Sequence, residues 1–164
     1  MGDEAFECLY REQWSRVANY VRFRLGPDEA DDVASEVFAR AWAHRPDYDP
    51  RRGAPSTWLW GIARNVTSDR VRRAEPQTLA LSQSAPAAID VADEVGALDE
   101  LRRAVVAIGR LKEIDQEIIA LRFGAGLTNR EIASQLGRSE GNVGLRLHRA
   151  FRKVRLDLQG STDR

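Results

Sequence analysis

The sequence predicts an all-α protein of two small helical domains joined by a flexible linker, and three observations carry that reading. Apolar residues recur at i, i+3, i+4 and i+7 spacing, the period of amphipathic helices. Proline and glycine interrupt the pattern in clusters, above all at Gly26 and Pro27 and in the loop PDYDPRRGAP. From Ala74 to about Ala92 the chain reads AEPQTLALSQSAPAAIDVA, rich in Ala, Ser and Pro, with no basic residue and no periodicity, which is linker chemistry. The domains are accordingly predicted over 1–73 and 95–160, with an acidic tether over 74–94.

The first helix is predicted over about Asp3 to Leu25, with Phe6, Leu9, Trp14, Val17 and Val21 near one face and Gly26 and Pro27 ending it. Next, DEADDVASEVFARAWAHR sets Ala30, Val33, Ala34, Val37, Phe38, Ala41 and Trp42 on one stripe. Asp28, Glu29, Asp31 and Asp32 stand where the helix dipole is positive, and Arg40 and Arg45 where it is negative. Pro46 stops this helix. The following loop, with three prolines, one glycine and the basic pair Arg51 and Arg52, is predicted to be stiff and exposed. Ser56 is predicted to cap a third helix, STWLWGIARNVTSDRVRR, whose apolar face is Leu59, Ile62, Ala63 and Val66. Around that face Trp58, Trp60, Arg64, Asn65, Asp69, Arg70, Arg72 and Arg73 mix rings with guanidiniums, which suits unstacked bases and phosphates. The competing reading gives Trp42 and Trp58 to the core, where aromatic stripes usually go; Trp14 is assigned there outright.

The second domain opens near Asp93, where Val95, Leu98, Leu101, Val105 and Ile108 define one helix. Ile114, Ile118 and Leu121 define another, closed by Gly124 and Gly126. The stretch LTNREIASQLGRSEGNVGLRLHRAFRKVR then carries the strongest local signal. Thr128 and Glu131 form a T-x-x-E capping box, and Ile132, Ala133 and Leu136 face inwards. Gly137 permits a left-handed turn, and Ser139 caps a helix packed through Val143, Leu147, Ala150, Val154 and Leu158. Ala133, Gly137 and Val143 fall where a helix-turn-helix needs a small residue, a positive-φ residue and an apolar anchor. Its outward positions, Asn142, Gly144, Leu145, Arg146, His148 and Arg149, would face a DNA major groove, where Arg pairs with guanine and Asn with adenine. A basic amphipathic helix for a protein or membrane is the competing reading.

The formal net charge is zero, but it is unevenly spread. Residues 1–73 carry 12 basic and 12 acidic groups, residues 74–97 none and 4, residues 98–164 13 and 9. Between Arg138 and Arg155 six basic residues stand against Glu140 alone, the footprint a phosphate backbone requires. The chain has no run of about 18 apolar residues, so no membrane span is expected. The acidic N-terminus lacks signal-peptide character, and Cys8, the single cysteine, can close no intrachain disulfide, so a cytoplasmic protein is expected. Cys8 reads as a packed thiol, and His44 and His148 stand without companion ligands, so neither a metal nor a cofactor is expected. The chain closes on GSTDR, from which no further C-terminal domain is expected.

DDVASEVFARAW, a Pro/Gly loop and WLWGIARNVTSDRVRR together resemble region 2 of the extracytoplasmic-function (ECF) sigma factors, and the helix-turn-helix resembles their region 4. The resemblance thus covers both ends and the tether. It implies that Asp32, Ser35, Glu36, Phe38 and Arg40 bind the beta-prime coiled coil of core RNA polymerase. It implies a minus-10 set of Asp47, Arg51, Arg52, Trp58, Asn65, Asp69, Arg72 and Arg73, and a minus-35 set of Arg138, Ser139, Asn142, Arg146, His148 and Arg149. The polymerase beta flap and an anti-sigma factor are further partners that it implies, as is a linker threaded through the polymerase. Ser35 replaces the family's usual Gln, Asn142 its frequent Thr, and Gly144 and Leu145 a basic residue and a serine.

The function so predicted is promoter specificity without chemistry of its own. A single-strand reader is paired with a duplex reader, and extruding a base costs roughly a few kcal/mol that a pocket must recover. The alternative is an ordinary helix-turn-helix regulator whose N-terminal helices dimerise or sense a ligand. An enzyme is not supported: there is no Gly-rich phosphate loop, no Cys/His metal spacing and no nucleophile, base and acid set.

Overall fold

The computed structural model describes residues 1–73 and 95–160, the stretch 95–101 as backbone only. The predicted linker, the final residues 161–164 and the side chains of Val95, Leu98 and Leu101 lie outside the described residues.

Helix α1 spans Asp3–Leu25 and α2 spans Pro27–His44, with Gly26 between them at φ 93. That left-handed backbone is easy for glycine and costly for other residues, which lets the chain reverse within one residue. Single 3₁₀ turns at Arg45–Asp47 and Pro50–Arg52 occupy the proline-rich loop, and the Asp49 carboxylate accepts from the Arg51 amide. The bonds from Arg51 hold the Asp49 carboxyl below its usual 3.8. Helix α3 spans Pro55–Arg73. Ser56 therefore lies inside its first turn and is not the cap. Pro55 takes the first position, where its missing N–H costs nothing, and the Ala54 carbonyl accepts the first helical bond, from Trp58. Helices α1, α2 and α3 pack pairwise around Val17, Val21, Val33, Val37, Leu59 and Ala63.

In the second domain α4 spans Val95–Gly109 and α5 Glu113–Ile119, continued by one π-helical turn, Ala120–Gly124. Helix α6, Asn129–Leu136, begins with the complete capping box. The Thr128 hydroxyl accepts from the Glu131 amide at 3.2 Å, and Glu131 accepts from the Thr128 amide at 2.7 Å. These bonds hold the Glu131 carboxyl below its usual 4.5. Their contribution is therefore complete above pH 4.5 and fades as pH falls through the lower folded value. Gly137 ends α6 at φ 60, ψ 39, and α7 spans Glu140–Gly160 with the Ser139 hydroxyl accepting from the Asn142 amide. Val143, Leu147, Ala150 and Val154 are buried against α4, α5 and α6.

The two domains are not separate bodies. The α5 and π-turn segment packs against α1, and α6 packs against α3, so that a continuous apolar core runs from Val17 and Trp60 to Ile118, Leu121 and Ile132. The tyrosine ring of Tyr20 meets Trp60 edge-on at 5.6 Å within this seam. Burying so much of two seventy-residue units against each other enlarges a core that neither could match alone.

Candidate nucleic-acid interface

Three surfaces hold the residues singled out in the sequence. The first lies on α6 and α7. Arg138, His148 and Arg149 are exposed, Ser139 stands at the cap, and Asn142 is half-buried with its carbonyl oxygen unpartnered. Arg146 is drawn inward: its guanidinium bonds the Asp115 carboxylate of α5 at 2.7 Å. It therefore braces α7 against α5, and base contact would require breaking that pair. Leu145 is exposed, and a Cβ added at Gly144 would meet only Asn129 Nδ2 at 3.7 Å. Neither space nor backbone requires that glycine. Gly144→Ala is expected to raise thermal stability by about 0.5–1 kcal/mol, the helix-propensity difference, as read by calorimetry.

The second surface combines the loop and α3. Arg51 is paired with Asp49, Asp47 with His44 at 3.3 Å, and Asp69 with Arg72. Arg52, Asn65 and Arg73 are exposed. Trp58 is half-buried, its ring 5.6 Å from that of Tyr48, whose hydroxyl donates to the Gly53 carbonyl at 2.9 Å. Trp58 is thus held rigid by the loop while one part of its ring stays open. Trp60 is different. The sequence groups it with the residues facing bases, yet it is 1% exposed and belongs to the core, because the α3 surface there is covered by the second domain.

The third surface is the outer face of α2. Asp32, Ser35 and Arg40 are exposed; the Ser35 hydroxyl donates to the Asp31 carbonyl. Glu36 is half-buried and tied to Arg40 at 2.6 Å and to Arg70 of α3 at 3.3 Å. Phe38 differs from the others: at 4% exposure it packs on Tyr10 and Trp14, so it presents little surface on this face and helps hold α2 in place. Trp42, by contrast, is 41% exposed, with Phe6 on its edge and the Arg45 guanidinium over its ring. Cys8 is exposed and donates to Glu12, whose carboxylate raises the thiol pKa; it is not the packed thiol expected.

Sequence reasoning missed a buried polar cluster in the seam. Glu117 of α5, 5% exposed, accepts from the Tyr20 hydroxyl at 2.9 Å and from Arg64 Nε at 3.1 Å, with Arg24 Nε at 3.2 Å. Burial, reinforced by the Glu117 charge, pushes the Tyr20 pKa well above its usual 10.0. Its partners lie 53 to 97 positions away in the chain, beyond any local pattern. Among the described residues no group of three or more metal-ligating side chains forms, and no helix is long and apolar enough to cross a membrane.

Comparison with known proteins follows the same division. Residues 9–76 match sigma-70 region 2 and residues 96–154 match sigma-70 region 4. The chain is 30% identical over 158 residues to the ECF RNA polymerase sigma factor SigK of Mycobacterium sp. (strain KMS), covering 93% of this chain and 82% of that one. It is 32% identical over 156 residues to the ECF RNA polymerase sigma factor SigL of Mycobacterium tuberculosis (strain ATCC 25618 / H37Rv), covering 93% of this chain and 88% of that one. Among solved structures it resembles CnrH, determined in complex with the cytosolic domain of CnrY, with TM-score 0.70 and 27% identity over 97% of this chain and 90% of that one. The fold is also that of RpoE from Bartonella quintana, determined with the anti-sigma factor NepR, at TM-score 0.66, 21% identity and coverage of 95% and 98%. With two matched regions in this order and relatives at this identity, the chain belongs to the ECF RNA polymerase sigma factors.

Proposed function

We infer that this sigma factor recruits core RNA polymerase to promoters that it selects by reading the minus-35 and minus-10 elements, and that it assists DNA opening. The observation that carries the reading is the capped helix-turn-helix with Arg138, His148 and Arg149 exposed, beside a second unit in which Trp58, in the first turn of the arginine-rich α3, is held by Tyr48. The first suits duplex DNA and the second unstacked bases. The domains act as 1–73 for polymerase and minus-10, 74–94 as tether, and 95–160 for minus-35. Asp32, Ser35, Glu36 and Arg40 supply the α2 face towards the beta-prime coiled coil. The exposed edge-to-face pair Phe123 and Phe151 gives the second domain an apolar surface suited to a protein partner such as the beta flap. Its work is cytoplasmic and non-catalytic. An anti-sigma factor is its natural regulator in this reading; RpoE, whose fold the chain shares, was determined with one, NepR.

The test is co-elution of the purified chain with sigma-free bacterial core polymerase, followed by transcription from cognate genomic fragments. Specific initiation is the expected result. Failure to bind polymerase, together with tight binding of the free protein to a palindrome, would replace this reading with an ordinary helix-turn-helix regulator.

A further inference from the structure

We propose that Leu145 reads the C5-methyl group of a thymine in the minus-35 element, which makes this leucine a specificity residue peculiar to this chain; the proposal rests on the function inferred above. The buried residues Val143, Leu147, Ala150 and Val154 fix the inner side of α7. At about 100° per residue, the side directly opposite runs through Leu145, with Asn142, His148 and Arg149 close around it and Gly141 one turn before. Leu145 is 46% exposed. An exposed leucine is ordinary in itself, and its setting at the centre of the groove-facing side is what gives it meaning. Phe151, which pairs with Phe123, stands six residues on and about 120° round the helix, so Leu145 does not extend that apolar surface.

The positions beside Leu145 are bare or turned away. Gly141 and Gly144 carry no side chain, although a Cβ at Gly141 would meet nothing within 4 Å and one at Gly144 only Asn129 Nδ2 at 3.7 Å. The packing of the chain thus asks for neither glycine. Arg146 is held inward by Asp115 at 2.7 Å. Leu145 therefore stands proud of a helix surface whose backbone can approach the base edges closely. Asn142, His148 and Arg149 remain at its rim for polar contacts.

In the major groove the bases present donors and acceptors, and the thymine methyl is the apolar group among them. A leucine side chain laid on that methyl removes apolar surface from water on both partners. Laid on guanine, adenine or cytosine it would cover a donor or acceptor and return no hydrogen bond for the water displaced. The same side chain thus favours one base and penalises the other three. A serine, the family's usual residue here, can bond donors and acceptors alike and discriminates less.

The experiment selects, with holoenzyme reconstituted from the full chain and sigma-free core polymerase, from fragments of a cognate promoter randomised over the minus-35 element. Native holoenzyme should fix a thymine at one position. Replacing that thymine by uracil, which lacks only the methyl, should weaken binding about fourfold, the worth of one buried methyl group. Holoenzyme carrying Leu145→Ala should bind the thymine and uracil duplexes alike, with the melting temperature of the chain near native because the position is exposed. A merely structural leucine would not move the thymine-to-uracil ratio. A selection that fixes no thymine, equal binding of the two duplexes by native holoenzyme, or discrimination that survives in Leu145→Ala would each overturn the proposal. A free chain that selects a duplex without polymerase, and there tells thymine from uracil through Leu145, would replace the sigma-factor reading with an ordinary regulator while the methyl contact stands. If neither holoenzyme nor free chain selects any sequence, both fall.

Discussion

Trp60→Ala should cost about 3–5 kcal/mol of stability, whereas Trp58→Ala should cost about 1 kcal/mol and act on promoter opening instead. The two residues are neighbours but one on in sequence, and their chemistry is the same. What differs is burial: Trp60 is enclosed between Tyr20 and the seam, while Trp58 leans on Tyr48 and keeps a free edge. Removing a fully buried indole leaves a cavity that its surroundings fill only in part, so the loss is a large share of the roughly 5–15 kcal/mol that holds such a chain folded. Chemical denaturation of both variants reads the stability side. Permanganate footprinting of promoter DNA with reconstituted holoenzyme reads the other. A Trp58→Ala chain that melts promoter DNA as well as native would remove that ring from the minus-10 surface. A Trp60→Ala chain of native stability would contradict the core described above.

Arg149→Ala should weaken duplex minus-35 binding by about 1–3 kcal/mol if the side chain reads a base, or lower the salt slope by about one if it meets a phosphate. It should leave stability within about 0.5 kcal/mol, because Arg149 is exposed. Arg146→Ala is the informative contrast. Its guanidinium joins α7 to Asp115 of α5, with the two side chains 29% and 18% exposed, so the variant should lose stability as well as affinity. Titrating a labelled duplex with the holoenzyme at several salt concentrations, alongside thermal melts, separates the two. Unchanged binding and transcription with Arg149→Ala would show that the groove-facing side of α7 is misassigned.

Much of this molecule is written locally. The α1 limits, the Gly26 reversal, the Thr128 and Glu131 capping box, the left-handed Gly137 and the Ser139 cap all follow from contacts within a few residues, and all stand in the structure as the sequence predicts. Such signals are legible because turn and cap chemistry depends on one or two side chains and the backbone beside them. Ser56 shows the limit: a good capping residue and a proline at the first helical position compete within two residues, and the proline sets the helix start.

Burial across the seam is the part that only the tertiary structure decided. Helical periodicity names a face but not what will cover it, so it could not separate Trp60 from Trp58 or withdraw Phe38 from the α2 surface. Charge counting marks Arg146 and Arg149 as equals, though among the described residues it is Arg146 that pairs with an acid, Asp115 of α5. Glu117 looks like any solvated acid beside Gln116, and Gly124 like any helix-ending glycine, until α1 arrives from the other end of the chain. The sequence by itself determined two helical domains, their caps and turns, and the family to which they point. The joining of those domains into one core, and the buried carboxylate that holds them, came from long-range packing, whose partners no local pattern encodes.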